Sequence, residues 1–244
     1  MRYSWSPYVS VAERKAIAAK KIAAAKKKGV IFNPVIIEGR TIAKTFWGKA
    51  WCDNLEKYCD CENRLPRGRS YVRNGSVIDL NIQQGLVQAQ VMGSSLYHVT
   101  IKVTHMAENK WKKLIQECAG KIDSLVELLQ GKFSKAIMSI LVDPKAGFFP
   151  SSSDLTFTCS CPDHAGLCKH IAAAFYGIGA AIDTKPEWLF KLRHVDHLQL
   201  LAVATSTEKL FAQATPSSSD EELTAIFDIE LADDPSIKKK KQKR

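Results

Sequence analysis

The sequence predicts an α+β fold: an antiparallel β-meander with covering helices, then a small strand/hairpin–helix unit, then C-terminal helices. Three observations lead there. Three short segments of alternating apolar and polar residues follow one another between positions 76 and 103. Helix-period apolar stripes occupy the stretch immediately after them. Three cysteines and a histidine crowd into residues 159–170, between a strand-like and a helix-like segment.

The chain opens with a basic arm, 1–29. Residues 12–28 carry seven Lys or Arg against one Glu in an Ala-rich stretch that favours helix and stops at Gly29. Having few large side chains, this arm is expected to bury little and to fray. An α+β domain is expected over 30–145. Its first part, 30–39, reads as extended chain punctuated by Pro34 and Gly39. Residues 45–58 follow as an aromatic helix capped by Thr45, with Trp47, Trp51, Leu55 and Tyr58 on one stripe. Such a stripe belongs to a core before it belongs to a ligand platform.

Residues 63–75 (NRLPRGRSYVRNG) read as a loop turned by Pro66 and Gly68 and closed by Asn74-Gly75. The meander comes next: 76–82, 86–92 and 96–103, with Gly85 and Gly93-Ser94-Ser95 at the reversals. Ile78, Leu80 and Ile82 alternate with Asp79 and Asn81; Tyr97, Val99, Ile101 and Val103 alternate with His98, Thr100 and Lys102. One face is therefore apolar and the other solvated, with His98 on the solvated side. Helices are expected at 107–119, 121–130 and 133–141, covering the apolar face, with Cys118 as a small buried residue. Pro144, Gly147 and Pro150 mark a break before a unit at 150–182. C-terminal helices are expected within 183–214, near 186–193 and 195–204. Residues 215–244 comprise a Ser-rich linker, an acidic patch and a basic tail.

The chemistry sits in LTFTCSCPDHAGLCKHIAAAFYGIG, which holds C-x-C, six residues, then C-x-H. Thiolate sulfur and imidazole nitrogen are preferred zinc ligands, and four of them close a tetrahedral structural site. Leu155, Phe157 and Cys159 alternate like a strand, so Cys159 and Cys161 point to one face. Pro162 and Gly166 suit a reversal. Cys168 and His170 converge when Cys168 lies in the entering turn and His170 in the first helical turn. The four residues thus predict one structural Zn2+, and the resulting charge near −1 is partly offset by Lys169. His164 is a rival ligand within the loop. Cys52, Cys59 and Cys61 could gather at a second site, but no fourth ligand stands at zinc-like spacing.

This arrangement, strand before and helix after, resembles the SWIM-type zinc finger. The stretches WSPYVSVAERKA, EGRTIAKTFWGKAWCDNLE, ENRLPRGRSYVRNGSVIDLNI and SLYHVTIKV are similar to the N-terminal half of bacterial SWIM zinc finger family proteins, over about residues 3–200. Carried over residue by residue, the resemblance places the metal ligands on Cys159, Cys161, Cys168 and His170. It implies a nucleic-acid-binding or protein-interaction module, associated in bacteria with Snf-type helicase-like ATPases.

Charge points to the same partner class. Of the net +10, residues 12–28 contribute +6 and the tail 238–244 another +6, while 220–234 hold seven acids and no base. Basic arms suit polyanions through counterion release, or else simply keep a chain soluble. Arg64, Arg67, Arg69 and Arg73, with Tyr71 interleaved and Lys169 beside the cysteine cluster, are the candidate nucleic-acid contacts. The bland reading of that loop is structural, its arginines meeting acids or covering apolar surface. The expected function is a zinc-binding, non-catalytic nucleic-acid-binding adaptor, with DNA ranked ahead of RNA. The alternative is a protein–protein interaction subunit that docks through the acidic patch or the finger. Catalysis is not expected, because four protein ligands leave no open metal position and the deaminase and phosphate-loop signatures are missing. No apolar run approaches the roughly 18 to 20 residues that span a bilayer, and the N-terminus lacks a signal-peptide pattern, so a cytoplasmic protein is expected.

Overall fold

Alternation between residues 77 and 103 produces three antiparallel strands: β1 (Val77–Gln83), β2 (Leu86–Met92) and β3 (Leu96–Val103). This computed structural model describes residues 9–57, 63–119, 121–122, 125–163 and 166–202. The chain divides into two units, Met1–Thr205 and Ser206–Arg244, and every described residue belongs to the first. A fourth strand, β4 (Leu155–Cys159), pairs antiparallel with β3 and completes the order β1-β2-β3-β4. The register stacks Leu80, Ala89, Val99 and Cys159 in one row and Ile82, Val87, Ile101 and Phe157 in the next. These rows face the core. The intervening row, Asn81, Gln88, Thr100 and Thr158, faces outward. Residues 33–35 cover the free edge of β1: Val35 N donates to Val77 O and Leu80 N to Asn33 O.

The core face is crossed by α7 (Lys169–Thr184), whose residues are buried without interruption from His170 to Gly179. A helix apolar on every side needs partners all round. The sheet supplies one; α2 (Phe46–Lys57) and α3 (Arg64–Arg73) supply the others. Glycines set the approach. A methyl group at Gly68 of α3 would fall 2.5 Å from Ala172 Cβ, and one at Gly179 of α7 would fall 2.5 Å from Cys52 Sγ on α2. Gly68→Val is therefore expected to cost about 1–3 kcal/mol through overpacking, read as a lower thermal midpoint. An unchanged midpoint would show that the α3–α7 contact yields freely.

Thr45 caps α2, its Oγ1 accepting from Gly48 N at 3.3 Å. Asp183, near the end of α7, accepts from Thr45 N, Thr45 Oγ1 and Lys44 N, locking the two helices end to end. Trp47 and Trp51 are both fully buried. Trp47 Nε1 donates to Leu128 O at 2.8 Å; Trp51 Nε1 donates to Phe175 O at 3.0 Å while its ring stacks on Phe175 at 4.5 Å. Leu55 completes the stripe, and Tyr58 lies outside the described residues. Helices α4 (Glu108–Cys118), α5 (Leu125–Gln130) and α6 (Lys135–Leu141) form where helices were expected, but the apolar sheet face they were expected to cover is taken by α7. Instead α4 packs on α6 and on α9 (Leu198–Ala202), and α8 (Glu187–Arg193) follows α7 and reaches β1. Cys118 is buried and His98 exposed, as expected.

Two further expectations are corrected. The stretch read as an arginine loop is the helix α3. Pro66 sits in its first turn, where backbone amides have no intrahelical acceptor and proline is tolerated. Gly68 serves helix packing rather than a turn. The basic arm also differs, since residues Val11–Lys27 form a docked helix, α1. Ser10 and Glu13 close a reciprocal capping box at its start. Ala18 is buried against Ile78 and Met92, with Ile22, Phe32 and Leu96 packed alongside, on the outward side of the sheet. Small side chains did limit what this helix buries; the sheet provides the apolar patch that it needs. Among the described residues, no helix is long and apolar enough to cross a membrane.

Candidate metal centre

The sheet register delivers Cys159 opposite Val99, facing the core at the end of β4. Ser160 N then donates to His98 O, keeping the chain on the sheet for one more residue before Cys161. Leu167 is buried and anchors the return. Cys168 is the N-cap of α7 in extended conformation, and its Sγ accepts from Ile171 N at 3.5 Å. His170 lies in the first turn, as the spacing required.

These four side chains converge. Their ligand atoms all lie within 4.8 Å of one another, and His170 Nδ1 stands 3.9 Å from both Cys159 Sγ and Cys168 Sγ. Zinc bond lengths of about 2.3 Å to sulfur and about 2.0–2.1 Å to nitrogen put tetrahedral ligand atoms roughly 3.5–3.8 Å apart. The cluster stands within about an ångström of that without rearrangement of the backbone. All three sulfurs are free thiols.

Electrostatics fit a cation. Burial, then neighbouring Lys169, pushes the His170 pKa down to about 4, so the ring is neutral with a lone pair to give. Burial pushes the Cys159 and Cys168 thiols well up, and each is raised further by its neighbouring cysteines. Three sulfurs share a pocket where Lys169 and Arg14 are the cations acting on the histidine, while backbone amides of Cys161 and Ile171 already point at two of the sulfurs. A divalent ion supplies the missing charge and displaces the protons.

The histidine is held by aromatic rings that sequence reading did not single out for this role. Tyr97 of β3 stacks on His170 at 4.2 Å, and Tyr71 of α3 meets it edge-on at 5.5 Å. Gly93 opens the space: a Cβ there would lie 2.9 Å from His170 Nε2. Above Tyr71 sits Arg14 of α1, its guanidinium 4.4 Å from the ring centre and the residue buried. A lone arginine in an Ala-Lys helix carries no sequence signal for such a role.

The candidate nucleic-acid residues separate. Arg64 pairs with Asp163 in the finger loop. Arg69 Nη1 donates to Glu56 and to the Tyr176 hydroxyl, which itself donates to Glu56 at 2.6 Å. Tyr71 is half-buried between Arg14 and His170. These three are thus engaged inside the fold, whereas Arg67 and Arg73 are exposed and Lys169 is half-buried. Cys52 stands apart, its thiol pushed up to about 12 by burial and nearby acids. Cys59, Cys61 and His164 lie outside the described residues.

Residues 144–177, a span containing all four ligands, match the family model described as SWIM zinc finger. The chain carries a SWIM zinc finger. Its Cys3His cluster is the one group with metal-ligand geometry among the described residues, and its donor set suits one zinc ion. The likeness to known proteins extends beyond the finger: an uncharacterized protein of Mycobacterium tuberculosis is 34% identical over 164 residues, covering 66% of this chain. This chain matches 59% of that relative's length, so it spans less than two thirds of it. No solved structure matches.

Proposed function

We propose that this chain is a cytoplasmic, non-catalytic, nucleic-acid-binding adaptor whose SWIM finger is a structural zinc site. The observation that carries the reading is the lysine face of α1. Lys15, Lys20, Lys21, Lys26 and Lys27, with Lys28 at its end, are all exposed on a helix fixed to the body by Arg14 and Ala18. None of the six has an ion pair among the described residues. Lysines held on a rigid element suit a line of phosphates. The four-ligand shell supports a structural metal over a catalytic one, since no coordination position stays open for substrate. A helicase-like ATPase as partner follows from the family resemblance.

The test is a salt series. With all six lysines on phosphates, log K against log salt should fall with a slope of roughly −4 on single strands and roughly −5 on duplex. Binding indifferent to salt would remove the reading. A second reading, a protein-interaction subunit, is favoured by Ile31 and Ile36, which are 83% and 77% exposed. Ile36 borders a cavity of about 290 Å³ that Val35, Leu80 and Trp188 also line. A pull-down that recovers a stoichiometric protein partner, with no nucleic acid retained, would favour it.

A further inference from the structure

Among the described residues, the outward face of the sheet is covered at one end. There α1 packs on Ile78, Met92 and Leu96. Apart from half-buried Leu86 and from Asp79, the rest of the face is Asn, Gln, Thr, His and one Lys: Asn81, Gln83, Gln88, His98, Thr158 and Lys102 are exposed, and Gln90 and Thr100 half-exposed. Asp79 is its one carboxylate, and both of its oxygens are engaged, Oδ1 by Asn33 N and Oδ2 by the Gln90 amide. A solvated sheet face ordinarily mixes charges of both signs. This one is dominated by amides and hydroxyls beside a helix bearing five lysines, with a sixth at its cap.

Resting on the nucleic-acid reading, we infer that this face seats a single strand of nucleic acid, with its phosphates on α1 and its bases and sugars on the Asn81–Gln88–Thr100–Thr158 row. Amide and hydroxyl side chains both donate and accept, which matches base edges and sugar oxygens. Base edges stand free in a single strand. In a duplex they are reached through the major groove, about 12 Å wide, whereas four strands at about 4.8 Å spacing span roughly 14 Å between backbones alone. The sheet does not enter that groove. Asp79 keeps its single negative charge, since both of its donors are neutral, and the exposed lysines of α1 outnumber it for an incoming phosphate chain. His98 is the one aromatic ring exposed on the described face, so hydrogen bonds and charge do most of the holding and stacking contributes little.

The experiment uses the full chain loaded with one equivalent of zinc. Fluorescence anisotropy follows a labelled single-stranded DNA, the RNA of the same sequence and the matching DNA duplex. At least one single strand should bind about tenfold or more tightly than the duplex, and the DNA and RNA arms identify which sugar is preferred. Gln88→Glu with Thr100→Glu places two carboxylates on the row and should weaken single-strand binding about tenfold or more. Asn81→Ala with Gln88→Ala, which adds no charge, should weaken it by about threefold to tenfold. Circular dichroism, melting and zinc content should stay at wild-type values in the alanine pair. Duplex binding as tight as either single strand overturns the inference. So does binding insensitive to both face variants yet weakened by Lys20→Ala with Lys27→Ala, a result that leaves the adaptor reading standing. Absence of binding to all three probes overturns both.

Discussion

Cys168→Ser should yield protein that carries no stoichiometric zinc and melts far below wild type. The buried sulfur is one of the four donors placed to hold zinc, belongs to the N-cap of α7 and accepts from Ile171 N, and a serine oxygen is a poor zinc donor in such a site. Structural zinc contributes roughly 10–16 kcal/mol of folding-coupled binding in isolated finger peptides. Here α7 also packs on the sheet, α2 and α3, so part of the fold has other support. A loss on the order of 5 kcal/mol is expected. Native mass spectrometry and thermal melting, on the variant and on chelated wild type, read the two effects. Wild-type zinc content in the variant would show that Cys168 is no ligand. The sign of the pH dependence follows as well. Thiols held above their ordinary pKa release protons only when zinc enters, so apparent zinc affinity rises with pH and metal is lost on acidification.

Trp51→Ala is expected to cost about 3–5 kcal/mol, the range for emptying a fully buried aromatic site. Its ring stacks on Phe175 and its Nε1 holds the carbonyl of the same residue, five positions beyond His170 on α7. Removing it opens a cavity directly behind the helix that presents the histidine. Zinc should therefore be released to a chelator faster than from wild type. Trp51→Phe keeps part of the stack, loses the hydrogen bond and should fall between. Denaturant unfolding followed at matched zinc saturation separates the stability effect from metal loss. A Trp51→Ala variant with wild-type stability would contradict the packing described.

Strand and ligand positions were legible because they depend on neighbours in sequence. Alternation along Val99, Ile101 and Val103 marks a solvated strand wherever it folds, and C-x-C…C-x-H reports its own convergence; in β1 a bulge turns Ile78 away from the Leu80 and Ile82 face and onto α1. The misread elements depend on distant partners. Pro66 and Gly68 signal a turn locally, yet Pro66 fits a first helical turn and Gly68 answers to Ala172, more than a hundred residues away. Likewise Arg14 reads as one more charge in a basic run. Only the ring of Tyr71, brought in by α3, turns it into a buried clasp above the metal-binding histidine.

Because β4 is an inner-face continuation of the meander, with Phe157 paired to Ile101 and Cys159 to Val99, the finger has no boundary at which it could be cut free. An excised 144–177 peptide would keep its four ligands but present naked apolar flanks of its helix and a strand edge stripped of its mate. Such a fragment should cling to itself in solution even when fully metallated.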